Sequence, residues 1–391
     1  ELRRRLPGLE CSGFGGPLME AAGCRLLYTL TNLAVMGLAP VIPKIPQFFQ
    51  LVRRAKTSFE QQRPDAVVLV DFPGFNWWIA RAAKKLGIPV FYYLPPQLWA
   101  WAPWRVRRMR KFVDCVLCCL PFETEWYRER GVPAQFVGHP FFDEVAERPL
   151  DGEFLATHSC PSTDAAKVPT VAVLPGSRGH EVSQNFPIQL RVMKRLHRRL
   201  PGVRFLVASY NEAQRDMCRR LVAERAPDLP ISLHVGKTSE IIELAEVCLM
   251  VSGSVSLEVL ARKTPAVVVY RMSPGLYWFL RLMVTCRYFS LPNLIADHPV
   301  MPEFAPINEL RATIAAMTDI LHRWLADETE YVRQKATLAK LCDDFATAGA
   351  TRNAASAILE RIEAGAGSEF GGQVIQRGPH FKKPIGFPFS S

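Results

Sequence analysis

The feature that most constrains the fold of this chain is a repeated alternation of short apolar runs with helix-like segments. Residues 66–70 form a continuous apolar run, and similar runs occupy residues 90–93 and 115–120. Runs of this kind are typical of strands that are buried on both faces of a parallel sheet. With the helix-like residues 77–86 between the first two runs, the pattern predicts a doubly wound α/β domain over residues 1–145.

The same pattern starts again in the second half of the chain. Residues 146–169 are mostly polar and lack periodicity, which predicts a linker or surface loop. The strands predicted beyond it lie at residues 170–174, 204–208, 231–235, 247–251 and 266–270. A helix is expected over residues 185–200, and residues 308–364 are expected to form two helices with Ala-rich faces. We therefore expect a second Rossmann-like domain and a ligand cleft beyond the carboxyl ends of the strands.

Length and composition agree with two folded domains. A chain of 391 residues suits two domains of roughly 150–200 residues each. The parts we expect are a first domain (1–145), the polar segment (146–169), a second domain (170–345), a final helix (346–364) and a disordered Gly/Pro-rich tail (365–391). The net charge of +11 favours anionic partners such as phosphorylated substrates, acidic lipids or nucleic acid, and it equally fits a basic solvated surface.

The ten cysteines do not follow the spacing of a zinc site. Cys115, Cys118 and Cys119 fall in one apolar run, and no second Cys-x-x-Cys pair follows at ribbon spacing. Reduced, buried thiols of a cytosolic protein are the simplest interpretation, so we predict neither a metal nor a cofactor. The uncharged stretch Leu26–Pro43 contains polar residues and prolines, whereas a membrane-spanning helix needs about 20 mainly apolar residues, so we predict no such helix.

Two strand–turn–helix loops in the second half carry residue types that bind phosphate. In the first loop, Gly176 allows a tight turn, Ser177 can cap the following helix, and free backbone N–H groups attract an anion. Arg178 can add a bidentate contact to phosphate oxygens. An ordinary turn with a surface arginine is the alternative interpretation.

The second loop begins with the small residues Ser252, Gly253 and Ser254, which again suit a phosphate. Glu258 follows one turn into the helix, where a carboxylate can accept hydrogen bonds from a ribose diol. The alternative, a capping box, requires a spacing of three residues, and Ser254 and Glu258 are four apart. Two such loops in one domain favour a nucleotide diphosphate over a single phosphate.

Asp71 follows the first predicted strand, at the edge where parallel sheets place their chemistry. A carboxylate there can deprotonate an attacking hydroxyl group. A helix cap or an ion pair with a nearby arginine would use the same residue type. The position of Asp71 alone does not favour the catalytic interpretation over these structural ones.

Two segments of the first half combine apolar residues with cations. The first contains Trp99 and Trp101 followed by a basic helix with Arg105 and Arg108, and it can bind a phosphorylated sugar, nucleic acid or a membrane surface. No RNA-binding signature accompanies it. The second, residues 41–52, is typical of an interfacial segment because its apolar residues give way to cations. Its candidate membrane contacts are Val41, Ile42, Ile45, Phe48 and Phe49. For both segments, a core element beside solvated cations is the alternative.

Eight short strings of this sequence resemble the lipid-A-disaccharide synthase family and occur in that family's order. They are Leu33–Gly37, Val70–Asn76, Pro96–Trp101, Leu120–Glu123, Phe136–Pro140, Leu174–Arg178, Tyr270–Met272 and Ser290–Leu294. The resemblance extends over roughly residues 10–345. Eight strings in order are a far more specific signal than either phosphate loop.

The resemblance implies an inverting, metal-independent glycosyltransferase of the GT-B type, in which two Rossmann-like domains face a cleft. The family transfers 2,3-diacylglucosamine from UDP to 2,3-diacylglucosamine 1-phosphate, forming the β-1,6-linked lipid A disaccharide and UDP. By this similarity Asp71 is the general base, and Arg178, Glu258 and Asn293 bind the donor nucleotide. A cytoplasmic protein on the anionic inner face of the membrane, without a nucleic-acid partner, is also implied.

The family opens with a strand and a Gly-Glu-x-Ser-Gly-Asp loop that this sequence lacks. We therefore expect the first strand of the amino-terminal domain to be absent and the chain to open inside the following helix. Loss of that strand exposes apolar edges, so we expect Glu1–Ser391 on its own to be poorly soluble and inactive.

Two other classes of protein fit parts of the sequence. Another UDP-N-acetylglucosamine enzyme of the same architecture, such as a peptidoglycan glycosyltransferase or a 2-epimerase, would share both phosphate loops. The apolar segment 41–52, Trp99 and Trp101 favour a lipid substrate over a soluble one. A non-catalytic lipid- or nucleic-acid-binding protein would not need the two loops.

Overall fold

The chain divides into two compact units. The computed structural model describes residues 1–30, 45–159, 168–272, 275, 283–284, 286–306, 310–346 and 348–365. Of these, residues 1–138 and 349–365 belong to the first unit, and those from His139 to Ala348 belong to the second. The break after Gly138 lies earlier than the boundary at residue 145 that the sequence suggested.

The first unit begins with two short parallel strands and continues into a parallel sheet. The elements of its opening are α1 (Leu2–Arg5), β1 (Ser12–Gly15), α2 (Pro17–Ala21) and β2 (Arg25–Thr29). Within the described residues, the sheet that follows has four strands in the order β3-β4-β5-β6, namely β3 (Val67–Val70), β4 (Val90–Tyr93), β5 (Cys115–Cys118) and β6 (Ala134–Phe136). The accompanying helices are α3 (Ile45–Gln61), α4 (Pro73–Lys85), α5 (Val106–Phe112) and α6 (Pro121–Arg128).

The strands of this sheet differ in how they are buried. All four residues of β5 are buried, as the continuous apolar run predicted. In β3 the prediction of burial on both faces is wrong, because Val68 and Val70 are 37% and 48% exposed while Val67 and Leu69 are buried. Within the described residues, β3 lies at one end of the sheet, where it pairs with β4.

The second unit is built on a larger parallel sheet. Within the described part of the chain its strand order is β12-β11-β10-β7-β8-β9. The strands are β7 (Thr170–Leu174), β8 (Arg204–Ser209), β9 (Ile231–Val235), β10 (Val247–Met250), β11 (Ala266–Val269) and β12 (Glu303–Phe304). The strands that follow β7 in the chain (β8 and β9) are added on one side of it, and those that follow β10 (β11 and β12) are added on the other side. The adjacent pair β7 and β10 is therefore the topological switch point, where such sheets bind ligands.

The helices of the second unit lie between and after these strands. They are α7 (Pro140–Glu147), α8 (Gly152–His158), α9 (Gly179–Arg199), α10 (Glu212–Arg225), α11 (Thr238–Leu244), α12 (Val255–Ala261), α13 (Leu291–Ala296), α14 (Leu310–Ala326) and α15 (Glu328–Phe345). Helix α8 falls inside the predicted polar linker and is capped by Asp151, whose carboxylate accepts a hydrogen bond from the Phe154 N–H (3.0 Å). Asp151 also pairs with Lys237 in the loop after β9, so this part of the segment is structured.

The last helix of the chain, α16 (Ala350–Gly365), belongs to the first unit rather than to the second. Among the described residues after 309, the chain therefore forms α14, α15 and α16, where the sequence had suggested two helices. The small residues Ala354 and Ala357 let α16 approach the sheet closely, where it packs beside Phe91 and Leu117. The tail beyond residue 365 lies outside the described residues.

Two features of the described residues bear on membrane and metal binding. No helix among them has the length and apolar character needed to cross a membrane. No group of three or more His, Cys, Asp or Glu side chains in the same part of the chain is arranged to hold a metal ion.

Candidate active site

The carboxylate of Asp71 is presented at the carboxyl edge of the first unit's sheet. Asp71 is the first residue after β3 and is exposed. Its backbone and that of Phe72 are both left-handed, with φ of 43° and 42°. Two consecutive left-handed residues without a glycine are rare, and aspartate tolerates the conformation better than phenylalanine does. Pro73 then begins α4, where its fixed φ suits the first helical turn.

In the second unit, the loop after β7 turns sharply into α9. Gly176 has a φ of +116°, and a Cβ at this position would lie 2.7 Å from the Cβ of Glu181. Both facts require glycine, because a side chain would be strained and would collide with the helix. The predicted tight turn at Gly176 is therefore present.

The backbone N–H groups of this loop already have an anionic partner. The N–H groups of Ser177 and Arg178 donate to Oε2 of Glu181, at 3.0 and 3.2 Å, and Nη1 of Arg178 donates to Oε1 at 3.0 Å. The prediction of free N–H groups at this turn is wrong for these two residues, because the helix supplies its own carboxylate. The N–H groups of Gly179 and His180 lie in the first turn of α9, where a helix provides no internal acceptor.

Helix α9 carries a buried polar face that connects the loops of this site. Glu181, Asn185 and Gln189 are spaced four residues apart, which places them on one side of the helix. The amide of Asn185 donates to the Glu181 carbonyl (2.9 Å) and accepts from the Arg271 N–H after β11 (2.7 Å). Nε2 of Gln189 donates to the carbonyls of Leu174 in β7 (3.2 Å) and Leu249 in β10 (3.3 Å).

Sequence reasoning missed this face because it started the helix at residue 185. The first turn of α9 contains few apolar residues, so the apolar periodicity that predicts a surface helix is weak there. The sequence did contain a signal for this face, because Glu181, Asn185 and Gln189 are spaced four residues apart and therefore lie on one side of a helix. That side also carries buried apolar residues, which indicates that the polar residues are buried with them.

The second loop, after β10, is held by its own hydroxyl groups. The Ser252 hydroxyl donates to the Phe289 carbonyl (2.7 Å), and the Ser256 hydroxyl donates to the Gly253 carbonyl (2.7 Å). Gly253 and Ser254 are exposed and remain available to a ligand. The switch point therefore brings the two predicted loops to neighbouring strands.

Glu258, the predicted contact of the donor ribose, lies in the first turn of α12. Its side chain is 8% exposed, and Oε1 pairs with Arg262 at 3.2 Å one turn further along α12. Arg262 is in turn paired with Glu243 at 2.7 Å. In this arrangement Glu258 stabilises the helix that follows the loop.

Asn293 is fully buried, and both the oxygen and the nitrogen of its side-chain amide are bonded within the protein. Oδ1 accepts from the Met301 N–H (2.8 Å), and Nδ2 donates to the Met301 carbonyl (2.7 Å) and to Glu303 (2.8 Å). The Glu303 carboxylate also accepts from the N–H groups of Phe289 and Ser290, at 3.0 and 2.8 Å. Burial raises the pKa of Glu303, which the sequence had not singled out. These contacts organise the loop to which Ser252 is bonded.

The two tryptophans of the first unit have separate environments. Trp99 is 9% exposed, donates its indole N–H to the buried Glu123 (2.8 Å) and packs edge-on against Phe122, so it is a core residue here. Burial raises the pKa of Glu123 to about 7. Trp101 is 42% exposed, and the Arg105 guanidinium lies 4.5 Å from its ring centre. Arg108 is exposed beside α4.

The apolar segment 41–52 is described only from α3 onward. Val41, Ile42 and the side chain of Ile45 lie outside the described residues. Phe48 faces the core, with its ring centre 6.0 Å from those of both Phe72 and Phe75. Phe49 is 47% exposed, and its ring lies 5.6 Å from that of Trp78, which is 45% exposed.

Two units with parallel sheets and polar loops at the carboxyl ends of their strands define the Rossmann-like architecture of GT-B glycosyltransferases and related epimerases. The chain is similar to a putative UDP-N-acetylglucosamine 2-epimerase from Listeria monocytogenes, with a TM-score of 0.58 and 8% identity over 91% of this chain and 96% of that one. It is also similar to a glycosyltransferase from Rickettsia africae, with a TM-score of 0.57 and 11% identity over 94% and 93% of the two chains. Likeness at these identities shows the fold.

Sequence comparison shows the family. The family model described as lipid-A-disaccharide synthetase matches residues 1–348. A lipid-A-disaccharide synthase from Alkalilimnicola ehrlichii is 35% identical over 358 residues, which cover 92% of each chain. The chain therefore belongs to the lipid-A-disaccharide synthetase family, and the resemblance and the fold predicted from its motifs are confirmed.

The Gly176→Ala variant should be less stable by about 1–3 kcal/mol, because alanine is strained at this φ and its methyl group meets Glu181. Urea unfolding measures the loss. Gly202→Ala is the matched control, since a Cβ there meets no atom within 4 Å and needs no left-handed backbone. Equal stability of the two variants would show that the loop after β7 relaxes without cost.

Proposed function

We propose that the protein transfers 2,3-diacylglucosamine from UDP to the 6-hydroxyl group of 2,3-diacylglucosamine 1-phosphate, with inversion, and releases UDP. The observation that carries this proposal is the family match over nearly the whole chain. The exposed Asp71 carboxylate at a strand end and the two loops at the switch point supply the types of group that such a reaction needs.

In this proposal Asp71 removes the proton of the acceptor hydroxyl while its oxygen attacks the anomeric carbon of the donor. The bond from that carbon to the UDP oxygen breaks, and the leaving diphosphate gains negative charge. Stabilisation of charge that develops in the transition state is usually the largest single contribution to catalysis. Arg178, whose side chain is 50% exposed, and the amino terminus of α9 provide positive potential, so the proposal invokes no metal ion.

Glu181 already occupies part of the loop that the donor uses in this scheme. Arg178 is paired with Glu181, whose carboxylate also holds two loop N–H groups. A diphosphate can take the exposed half of Arg178 together with the N–H groups of Gly179 and His180, without breaking the bonds to Glu181. We infer that the loops bind the donor in this way, with Ser252, Gly253 and Ser254 on the neighbouring strand. By the family resemblance, the proposed donor site also includes Glu258 and Asn293.

We further propose that the first unit rests on the anionic cytoplasmic face of the inner membrane. Phe49 and Trp78 form an exposed aromatic pair, and Trp101 is also exposed. Aromatic rings suit the interface between headgroups and acyl chains. Exposed cations such as Arg54 and Arg108 and the net charge of +11 favour acidic lipids. Both proposed substrates carry acyl chains, so such a surface would bring the enzyme to them.

A direct assay of the reaction tests the proposed function. The protein is incubated with UDP-2,3-diacylglucosamine and 2,3-diacylglucosamine 1-phosphate, and the disaccharide is detected by mass spectrometry. Turnover of UDP-N-acetylglucosamine instead, with no acylated disaccharide, would favour a 2-epimerase or peptidoglycan glycosyltransferase. The family match does not favour that alternative.

The Asp71→Asn variant should lose about 10²–10⁴-fold in kcat and keep its affinity for UDP, because the amide cannot accept the proton. Steady-state rates and UDP titration measure the two effects. Asp65→Asn is the control: Asp65 is also exposed and lies just before β3, at the opposite edge of the sheet. Near-normal kcat in Asp71→Asn would place the base elsewhere.

Arg178→Ala should weaken UDP binding by about 10–100-fold, since a charge-assisted hydrogen bond contributes roughly 1.5–3 kcal/mol. Isothermal titration calorimetry gives the affinity. Arg191→Ala removes an exposed cation further along the same helix and should bind UDP normally. If the Arg178 variant keeps the parent affinity, this residue is a surface arginine.

Replacing Phe49 and Trp78 together by Ser should release the protein from vesicles of anionic phospholipid and raise the KM for the acylated acceptor. Flotation at low and high salt measures binding, and high salt should weaken it because surface cations contribute about 1 kcal/mol each. The control is Tyr210→Ser, which removes an aromatic residue that is 70% exposed on the second unit. Flotation that neither the double substitution nor salt reduces would contradict this docking surface.

A further inference from the structure

We propose that Asn76 and Tyr92 are positioning residues for Asp71: both donate to its backbone carbonyl and so hold the left-handed turn that directs its carboxylate. Nδ2 of Asn76 lies 2.6 Å from the Asp71 carbonyl oxygen, and the Tyr92 hydroxyl lies 2.7 Å from it. This inference rests on the proposed role of Asp71 as the general base.

The turn needs such support because its backbone is unfavourable. Asp71 and Phe72 have φ of 43° and 42°, and neither is glycine. Non-glycine residues persist in this region when the surrounding structure determines their conformation, and such residues cluster at active sites. The two hydrogen bonds to one carbonyl oxygen fill both of its acceptor positions, so they determine the orientation of the peptide group after Asp71.

The turn decides where the Asp71 side chain goes. Side chains alternate between the faces of a strand, and Val70 is on the exposed face of β3. If the strand continued, Asp71 would share the face of the buried residues Val67 and Leu69. The left-handed turn instead leaves Asp71 exposed at the edge of the sheet. The carboxylate is thereby available to a substrate hydroxyl group.

Both donors are fixed by rigid elements. Asn76 is buried in the first turn of α4, and its Nδ2 also donates to the Val70 carbonyl (3.1 Å). Tyr92 is fully buried in β4, the strand paired with β3, and its ring packs 6.0 Å from Trp77. A tyrosine hydroxyl keeps its proton at neutral pH and can therefore donate. Burial raises the pKa of Tyr92 above its ordinary value. A helix and a neighbouring strand thus hold the same carbonyl from two directions.

The consequence for the reaction follows from the geometry of proton transfer. A general base must lie within hydrogen-bond reach of the proton that it removes. Displacing a reacting group by about 1 Å can lower the rate about 10²-fold. Loss of either donor should therefore reduce turnover without weakening the binding of substrates, since neither side chain is exposed to them.

The test compares Tyr92→Phe, Asn76→Ala and the double variant with the parent protein. We expect kcat to fall about tenfold in each single variant and about 10²-fold in the double variant. The KM values for both substrates and the affinity for UDP should stay within about twofold of the parent. Tyr92→Phe keeps the aromatic ring in the core, so thermal unfolding should show a folded protein.

Epistasis with Asp71 separates a positioning role from a structural one. In the Asp71→Asn background, Tyr92→Phe should cause no further loss of kcat, because the carboxylate that Tyr92 directs is already absent. A full additional tenfold loss in that background would overturn the proposal, since it would mean that Tyr92 acts independently of Asp71.

Tyr127→Phe is the matched control for general loss of a buried hydroxyl. Its hydroxyl donates to the Pro96 carbonyl (3.1 Å), and the residue is fully buried in the same unit. We expect a similar loss of thermal stability with kcat within about twofold of the parent. An equal fall of kcat in Tyr127→Phe and Tyr92→Phe would contradict positioning.

The outcomes also separate this inference from the proposed function. If Asp71→Asn abolishes turnover while the Tyr92 and Asn76 variants stay fully active, the role of Asp71 as general base is supported and the positioning role of Tyr92 and Asn76 is wrong. If Asp71→Asn keeps near-normal kcat, the base itself is wrong, and the positioning role is overturned with it.

Discussion

The buried polar face of α9 is the interaction on which the second unit's site depends. Glu181 fixes the N–H groups of the loop after β7, Asn185 holds the segment after β11, and Gln189 joins the carbonyls of β7 and β10. Breaking a hydrogen bond between buried polar groups is costly, so the bonds that Glu181, Asn185 and Nε2 of Gln189 make admit little variation in the geometry of these loops. One helix thereby connects the loops and strands on both sides of the switch point.

The first unit uses the same physical means on a smaller scale. There the side chains of Asn76 and Tyr92 bind a backbone carbonyl just beyond a strand end, and the result is a left-handed turn. In both units, buried polar side chains bond to backbone groups at or near the ends of strands. Such support is what a preorganised site requires, because groups held in place before the reaction need no reorganisation during it.

The sequence predicted the framework better than the site. The bounds of β4 and β7 agree with the apolar runs because a strand buried on both faces favours an uninterrupted apolar run. The packing of α16 on the first unit could not be predicted, since an Ala-rich face indicates a close contact without naming the partner. The burial of Trp99 depends on Glu123, an acceptor 24 residues away that no local pattern reveals.

Glu181 shows why a correct motif still gave an incomplete site. Glycine, serine and arginine before a helix indicate an anion site because they leave N–H groups and a cation facing one point. That point attracts any anion, and a carboxylate three residues into the helix reaches it without the entropy loss of binding a separate molecule. The protein therefore satisfies its own loop first. A diphosphate must bind through the groups that Glu181 leaves available, so it gains only part of the hydrogen bonds that the loop can offer.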